Sequence, residues 1–304
     1  MYITTHCYLE GAKIKSSPIK FKLKNREVVV KNIPEMGSTK EGMQIEIKLP
    51  VDIKELKIPN EVMDKKGKFI DKRLTRFKSM LQETSFLLEG LLSIYFNVKI
   101  PAFNTGKVVV NVYAENKEEA NMLKEGTVTG GFGDVFYSEK KFIFPLDKHI
   151  LSKAEIALSH LPSLSFFTQA RRSFESGNHE IAFYLYFKII EGYFGDGTPK
   201  IQNALLENKK QIAKYIKIDQ QLTTALKKIL NELLSLPSES ANSNTIEAVI
   251  KDLVLIRHKL NHFSINNSEK YFHPELRFHL EQINRYLGRA TLVLLFDQMN
   301  LIKK

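Results

Sequence analysis

The stretch FPLDKHILSKAEIALSHL, Phe144–Leu161, is where the hydrophobic pattern of the chain changes. Before it, apolar residues alternate with polar ones, the period of a half-buried strand. After it they recur every third or fourth position, the period of an amphipathic helix. The reading that follows is an α+β, multidomain chain. A β-rich N-terminal domain, residues 1–150, contains one long helix, and an all-α helical bundle, residues 151–304, follows it.

Working back from that stretch, PIKFKLKNREVVV alternates Ile19, Phe21 and Leu23 with lysines, and MQIEIKLP does the same with Ile45, Ile47 and Leu49. GKVVVNVYAE and KKFIFPLD are further short β-type runs. TGGFGDVFYS, Thr129–Ser138, places turn glycines between two such runs. One helix is predicted in this half, from Glu61 to Phe96, with core spacing in SMLQETSFLLEGLLSIYF.

Working forward, helices are predicted over Ser165–Glu175, ended by SGN, and over His179–Gly195, ended by GDGTPK. Further helices are expected over Ile201–Tyr215, Gln220–Leu236, Thr245–Phe263 and Pro274–Asn300, with the loop PSESANSN between the second and third of these.

Composition narrows the class. Of 304 residues, 43% are hydrophobic and 26% charged, an ordinary globular balance. The single cysteine, Cys7, excludes an intramolecular disulfide and a cysteine-based zinc cluster, and fits a reducing compartment. MYITTHCYLEG lacks the basic-then-apolar order of a signal peptide, and no apolar run reaches the length of a membrane span. The expected location is cytoplasmic, with no membrane partner. The net charge is +11, with 25 basic against 19 acidic residues up to Ile150 and 20 against 15 beyond it. A basic excess spread over both halves permits a nucleic-acid partner, and a lysine-rich composition alone produces the same number.

LVLIRHKLNHFSINNSEK, Leu253–Lys270, concentrates candidate chemistry. Thr245 or Asn244 can cap the helix that leads into it, and Glu247 suits its positive end. Ile246, Val249, Ile250, Leu253, Ile256, Leu260 and Phe263 form one apolar stripe. Arg257, His258, Lys259, Asn261 and His262 then fall in the last turns. Arg257 and His262 are five positions apart, about 140° around a regular helix. Using both in one site needs a helix that loosens near Asn261, or a second copy across a symmetric interface. Basic residues at a helix C-terminus also stabilise its negative end without any function. His258 and His262 sit at i and i+4, a spacing that can share a metal ion, but no third ligand lies nearby. Neither a metal nor another cofactor is expected.

The pattern of RHKLNH, Arg257–His262, late in a helical bundle, resembles the Arg-x4–6-His signature of the HEPN superfamily. His258 suits the polar position after the arginine, and Glu191 in FKIIEGYF suits the acidic residue of a preceding bundle helix. The resemblance covers residues 151–304 only. It implies a metal-independent endoribonuclease that works as a homodimer and cleaves RNA through its own 2′-hydroxyl. The implied setting is a toxin or antiviral defence effector, with a trigger or regulatory partner acting through the N-terminal domain as sensor. His262 would be general base or acid and Arg257 the transition-state stabiliser. His258 and Asn261 would orient phosphate or ribose, Lys259 would add field, and Glu191 would hold Arg257 or a histidine. The alternative is a non-catalytic HEPN-type module that binds nucleic acid or protein, and a third reading is a purely structural bundle.

Elsewhere, Lys65, Lys68, Lys72 and Arg76 would share one face of the Glu61–Phe96 helix and could track a phosphate backbone. With Asp64 and Asp71 beside them, they also read as a solvated charged face. GTVTGGFGDVF lacks the lysine-serine or lysine-threonine of a phosphate loop. Tyr184, Tyr186 and Phe187 read as core before they read as base-stacking residues, and His273 and His279 follow the motif closely enough to approach it.

Overall fold

The computed structural model describes residues 2–10, 12–14, 17–24, 26–33, 42–50, 61–63, 69–96, 104–113, 142–144, 153–195, 200–261 and 274–301. The fold is α+β. Contacts divide the chain into two compact units, one of Met1–Leu92 with Ile100–Leu161, the other of Ser93–Lys99 with Pro162–Lys304. The division therefore falls at Leu161, beyond the change of pattern near residue 150.

The strands are β1 Tyr2–Glu10, β2 Ala12–Ile14, β3 Ile19–Leu23, β4 Arg26–Ile33, β5 Gly42–Pro50, β6 Glu61–Met63, β7 Phe69–Asp71, β8 Asn104–Tyr113 and β9 Phe142–Phe144. Five of them form one sheet in the order β3-β4-β5-β1-β8. β1, which the alternation reading passed over, lies inside this sheet and pairs antiparallel with both β5 and β8. The run PIKFKLKNREVVV is two strands, not one, folded back at Lys24 with φ of 56°. The register sets Ile19 opposite Val30 and Val30 opposite Ile45, so one row of apolar side chains crosses three strands. A second row joins Phe21, Val28 and Ile47. Such cross-strand pairs are what make the sheet register specific.

Asn32 clasps the neighbouring chain as a strand would. Its Oδ1 accepts from the Ile14 amide at 2.8 Å and its Nδ2 donates to the Ile14 carbonyl at 2.9 Å. The segment Glu61–Asp71 corrects the predicted helix. Glu61–Met63 and Phe69–Asp71 pair antiparallel, and the helix α1 begins only at Lys72 and runs to Phe96. The register sets Val62 opposite Ile70, and β-branched residues favour extended backbone over helix.

Helix α1 is tied to the sheet by a half-buried ion pair. Arg26, 7% exposed, sets Nη2 2.7 Å from Glu83 Oε2, while Lys24 reaches Glu83 Oε1 at 3.3 Å. Burial draws the Glu83 carboxyl up, but Arg26 and then Lys24 outweigh it, and the pKa is lowered. Arg26→Met should cost about 2 kcal/mol, because Lys24 still answers the carboxylate that is left behind. Chemical denaturation of the full chain measures it, and an unchanged midpoint would remove this tie from the account.

In the second unit the described elements are helical: most of α3 Leu161–Glu175, then α4 His179–Phe194, α5 Ile201–Glu207, α6 Lys209–Ile212, α7 Gln220–Lys227, α8 Ile246–Asn261 and α9 Pro274–Gln298. Short helix α2, Ala154–Ser159, belongs to the first unit. Helix α4 packs along α9. Tyr186 and Phe187 are both 1% exposed and are core residues, as their spacing suggested, whereas Tyr184 is only half-buried. Gly288 of α9 makes room for that packing, since a Cβ there would meet the Tyr186 ring at 3.1 Å.

Two predicted helices are broken. Ile201–Tyr215 splits at Asn208, whose Nδ2 donates to the carbonyls of Ala204 and Phe194, both at 3.0 Å. An asparagine that bonds the backbone in this way competes with the helix. Gln220–Leu236 stays α-helical to Lys227, then widens into a π-helical segment, Lys228–Leu233.

Candidate functional site

Helix α8 carries the Arg257 motif. Thr245 caps it, with Oγ1 accepting from the Ala248 amide at 3.3 Å. Val249, Ile250, Leu253 and Ile256 are buried, so the predicted stripe faces the core over the described turns. This stripe fixes the helix rotation and leaves Arg257 at the edge of the packed face.

There Arg257 meets Glu191 of α4. Its Nη2 lies 3.1 Å from Oε1 and 3.3 Å from Oε2, with the two side chains 20% and 16% exposed. The second oxygen also takes Lys188 Nζ at 3.0 Å. One carboxylate is thus held between two cations, and a net positive charge remains. Lys188 was not singled out in the sequence, although its i, i+3 spacing to Glu191 in FKIIEG was a signal for the pair. The Arg257 Nε is buried and has no hydrogen-bond partner among the described residues.

The chain turns sharply beside Glu191. A Cβ on Gly195 would lie 2.8 Å from the Glu191 carbonyl and closer still to Ile201, so only glycine fits where α4 ends. The Gly195 amide donates to that same carbonyl at 2.8 Å. Glu191 is therefore placed on a rigid last turn rather than on a loop.

The rest of the motif is placed unevenly. His258 is exposed and Lys259 half-buried on the turn that carries Arg257. Asn261 closes α8, and its side chain lies outside the described residues. His262, Phe263 and His273 also lie outside them, as do Lys65, Lys68 and the turn Thr129–Ser138. His279 approaches Gln282, with Nδ1 3.4 Å from Oε1. The four-residue basic face is overturned in its helical form, because α1 starts at Lys72 and only Lys72 and Arg76 belong to it. Among the described residues no group of three His, Cys, Asp or Glu side chains could hold a metal ion. No helix of the described residues is long and apolar enough to cross a membrane.

A second buried charge on α8 escaped the sequence reading. Asp252 is 1% exposed, and its carboxylate accepts from Ser238 Oγ at 2.7 Å, the Glu239 amide at 2.9 Å and the Ser240 amide at 3.0 Å. Ser240 Oγ makes a further short bond to it. The π-helical segment joins this network, with Asn231 Oδ1 accepting from the Ser238 amide at 2.8 Å. These donors satisfy the buried carboxylate and fasten the PSES loop onto α8 on the N-terminal side of the motif.

Comparison of the chain with protein-family models, with curated proteins and with solved structures finds no match. The resemblance to the HEPN superfamily therefore rests on Arg257–His262, its place late in a helical bundle, and Glu191.

Proposed function

We propose that the chain is a metal-independent endoribonuclease of HEPN type. The observation that carries the proposal is the contact between Arg257 and Glu191, 66 positions apart in sequence. The resemblance implies that Glu191 holds Arg257 or a histidine, and Arg257 is the residue it meets. Within the reading, the 2′-oxygen of the substrate attacks the adjacent phosphorus, and the bond to the 5′-oxygen breaks. The 2′ proton passes to a base and a proton reaches the leaving oxygen, so a 2′,3′-cyclic phosphate and a 5′-hydroxyl result. His262 supplies the imidazole, which exchanges protons near neutral pH. Arg257 stabilises charge on the phosphoryl oxygens, with Glu191 as its positioning residue.

Residues 151–304 then form the HEPN-like bundle, active as a homodimer in the cytoplasm, and the preceding β-rich part senses a trigger in a toxin or antiviral role. His258, Lys259 and Asn261 contact phosphate or ribose beside the catalytic pair.

The test is cleavage of single-stranded RNA in excess EDTA by the full chain and by His262→Ala. Activity that survives chelation, leaves cyclic phosphate ends and disappears in the variant is the expected result. Equal cleavage by both would sink the assignment. Tight RNA binding with no cleavage by either would favour the non-catalytic module, in which Arg257 and Glu191 simply tie α8 to α4.

A further inference from the structure

The second unit carries a cleft of about 670 Å³ away from the residues considered above. One wall is the segment between α6 and α7, with Lys214 and Lys217. The other is α9, with Arg285 and Arg289. Asp219 is the sole carboxylate among the lining residues, so four cations face one anion. All four cations are exposed. Arg285 pairs with Glu281 at 2.7 Å on its own helix. Among the described residues no carboxylate lies within ion-pair distance of Lys214, Lys217 or Arg289. Like charges gathered on facing walls of one concave surface repel each other, and an anion between them relieves that repulsion.

Two tyrosines tie the walls to each other. Tyr286 donates to Asp219 Oδ1 at 2.6 Å, and Asp219 in turn caps α7 by accepting from the Leu222 amide at 3.0 Å. Tyr215 donates to Asp297 Oδ2 at 2.7 Å. Burial first, and the neighbouring carboxylates next, push both phenols up to about 12, so each remains a neutral donor at physiological pH. The carboxylate lining the cleft is thereby bonded to a tyrosine and a helix cap; its charge also acts on Lys217, and the four cations remain exposed.

Arg285 and Arg289 lie one turn apart on α9, a rise of about 6 Å. That is the order of the step between successive phosphates of an extended single strand. Val293, 38% exposed, continues the same helix face and offers the cleft's apolar margin. We infer that the cleft formed by Lys214, Lys217, Arg285 and Arg289 binds the phosphate backbone of single-stranded RNA. This identification rests on RNA being the ligand of the chain, as proposed above, but it does not require cleavage. The linear spacing of cations favours a strand over a free nucleotide, and forked guanidinium groups suit phosphate oxygens.

The probe is fluorescein-labelled 2′-O-methyl oligouridylate, which lacks the nucleophilic hydroxyl and stays intact whatever the chain does to RNA. Anisotropy titration of the full chain is compared with Lys214→Glu/Arg289→Glu and with Lys20→Glu/Lys22→Glu. The second pair makes the same charge change on exposed positions of β3. The cleft variant should bind about tenfold or more weakly with a shallower salt dependence, and the β3 variant within about twofold of the original. Circular dichroism melting confirms that both variants fold. Equal losses in the two variants would overturn the inference, because diffuse charge would then suffice. Absence of binding by the unaltered chain would overturn it too. Complete displacement by ATP would give the cleft to a free nucleotide, and displacement by polyglutamate to an acidic peptide. Absence of binding by the unaltered chain with RNA cleavage intact would leave the nuclease reading standing, and cleft-dependent binding without cleavage would leave the cleft.

Discussion

Arg257→Ala is expected to lower the rate of RNA cleavage by about 10²–10³-fold, the usual consequence of removing a donor aimed at developing negative charge. The fold should survive the change. Glu191 keeps Lys188 at 3.0 Å when the guanidinium is gone, so its carboxylate is not stranded. The stability loss should therefore stay near 1 kcal/mol, the scale of a partly exposed ion pair. Arg257→Lys should not restore the rate, since an ammonium lacks the planar fork that can hold Glu191 and a phosphate together. Glu191→Gln separates positioning from mere bracing. It should lower kcat about tenfold with little change in KM, because the substrate still binds while Arg257 is less well aimed. Cleavage by Arg257→Ala at the original rate would reduce the residue to a link between α8 and α4.

Asp252→Ala should cost about 3–5 kcal/mol, the range seen when one partner of a buried charged network is removed. The cost arises from the donors left behind. Two backbone amides and two serine hydroxyls point at the carboxylate from a single loop. Serine hydroxyls can rotate to other partners, but the amides of Glu239 and Ser240 cannot. A fall in Tm on the order of 10 °C follows for the helical unit, read by circular dichroism. Asp252→Asn should be milder, because its carbonyl oxygen still accepts from one amide, and one serine can turn to accept from the new NH₂. If alanine and asparagine proved equally harmless, the network would contribute little to stability. The loop precedes the helix that carries Arg257, so Asp252→Ala should also weaken cleavage at temperatures close to its lowered melting point.

The sequence by itself determined the features that depend on neighbours a few positions away. Alternation of Ile45 and Ile47 with polar residues specified β5, and the three-and-four spacing of Val249, Ile250, Leu253 and Ile256 specified α8 and its buried face. Glu191 and Arg257 were legible as site residues only through resemblance, which left Arg257 or a histidine as the partner of Glu191; nothing local links α4 to α8. Tertiary structure decided the rest. β1 is a sheet strand because β5 and β8 flank it, a fact of pairing rather than of composition. Glu61–Met63 and Phe69–Asp71 are strands rather than helix because they pair with each other. Asp252 carries no local sign of burial, and it is the PSES loop that brings four donors to it. Lys217 and Arg289 became one cleft because α9 lies beside the segment before α7. In each case the deciding energy lies in contacts between distant residues, which a local period does not encode.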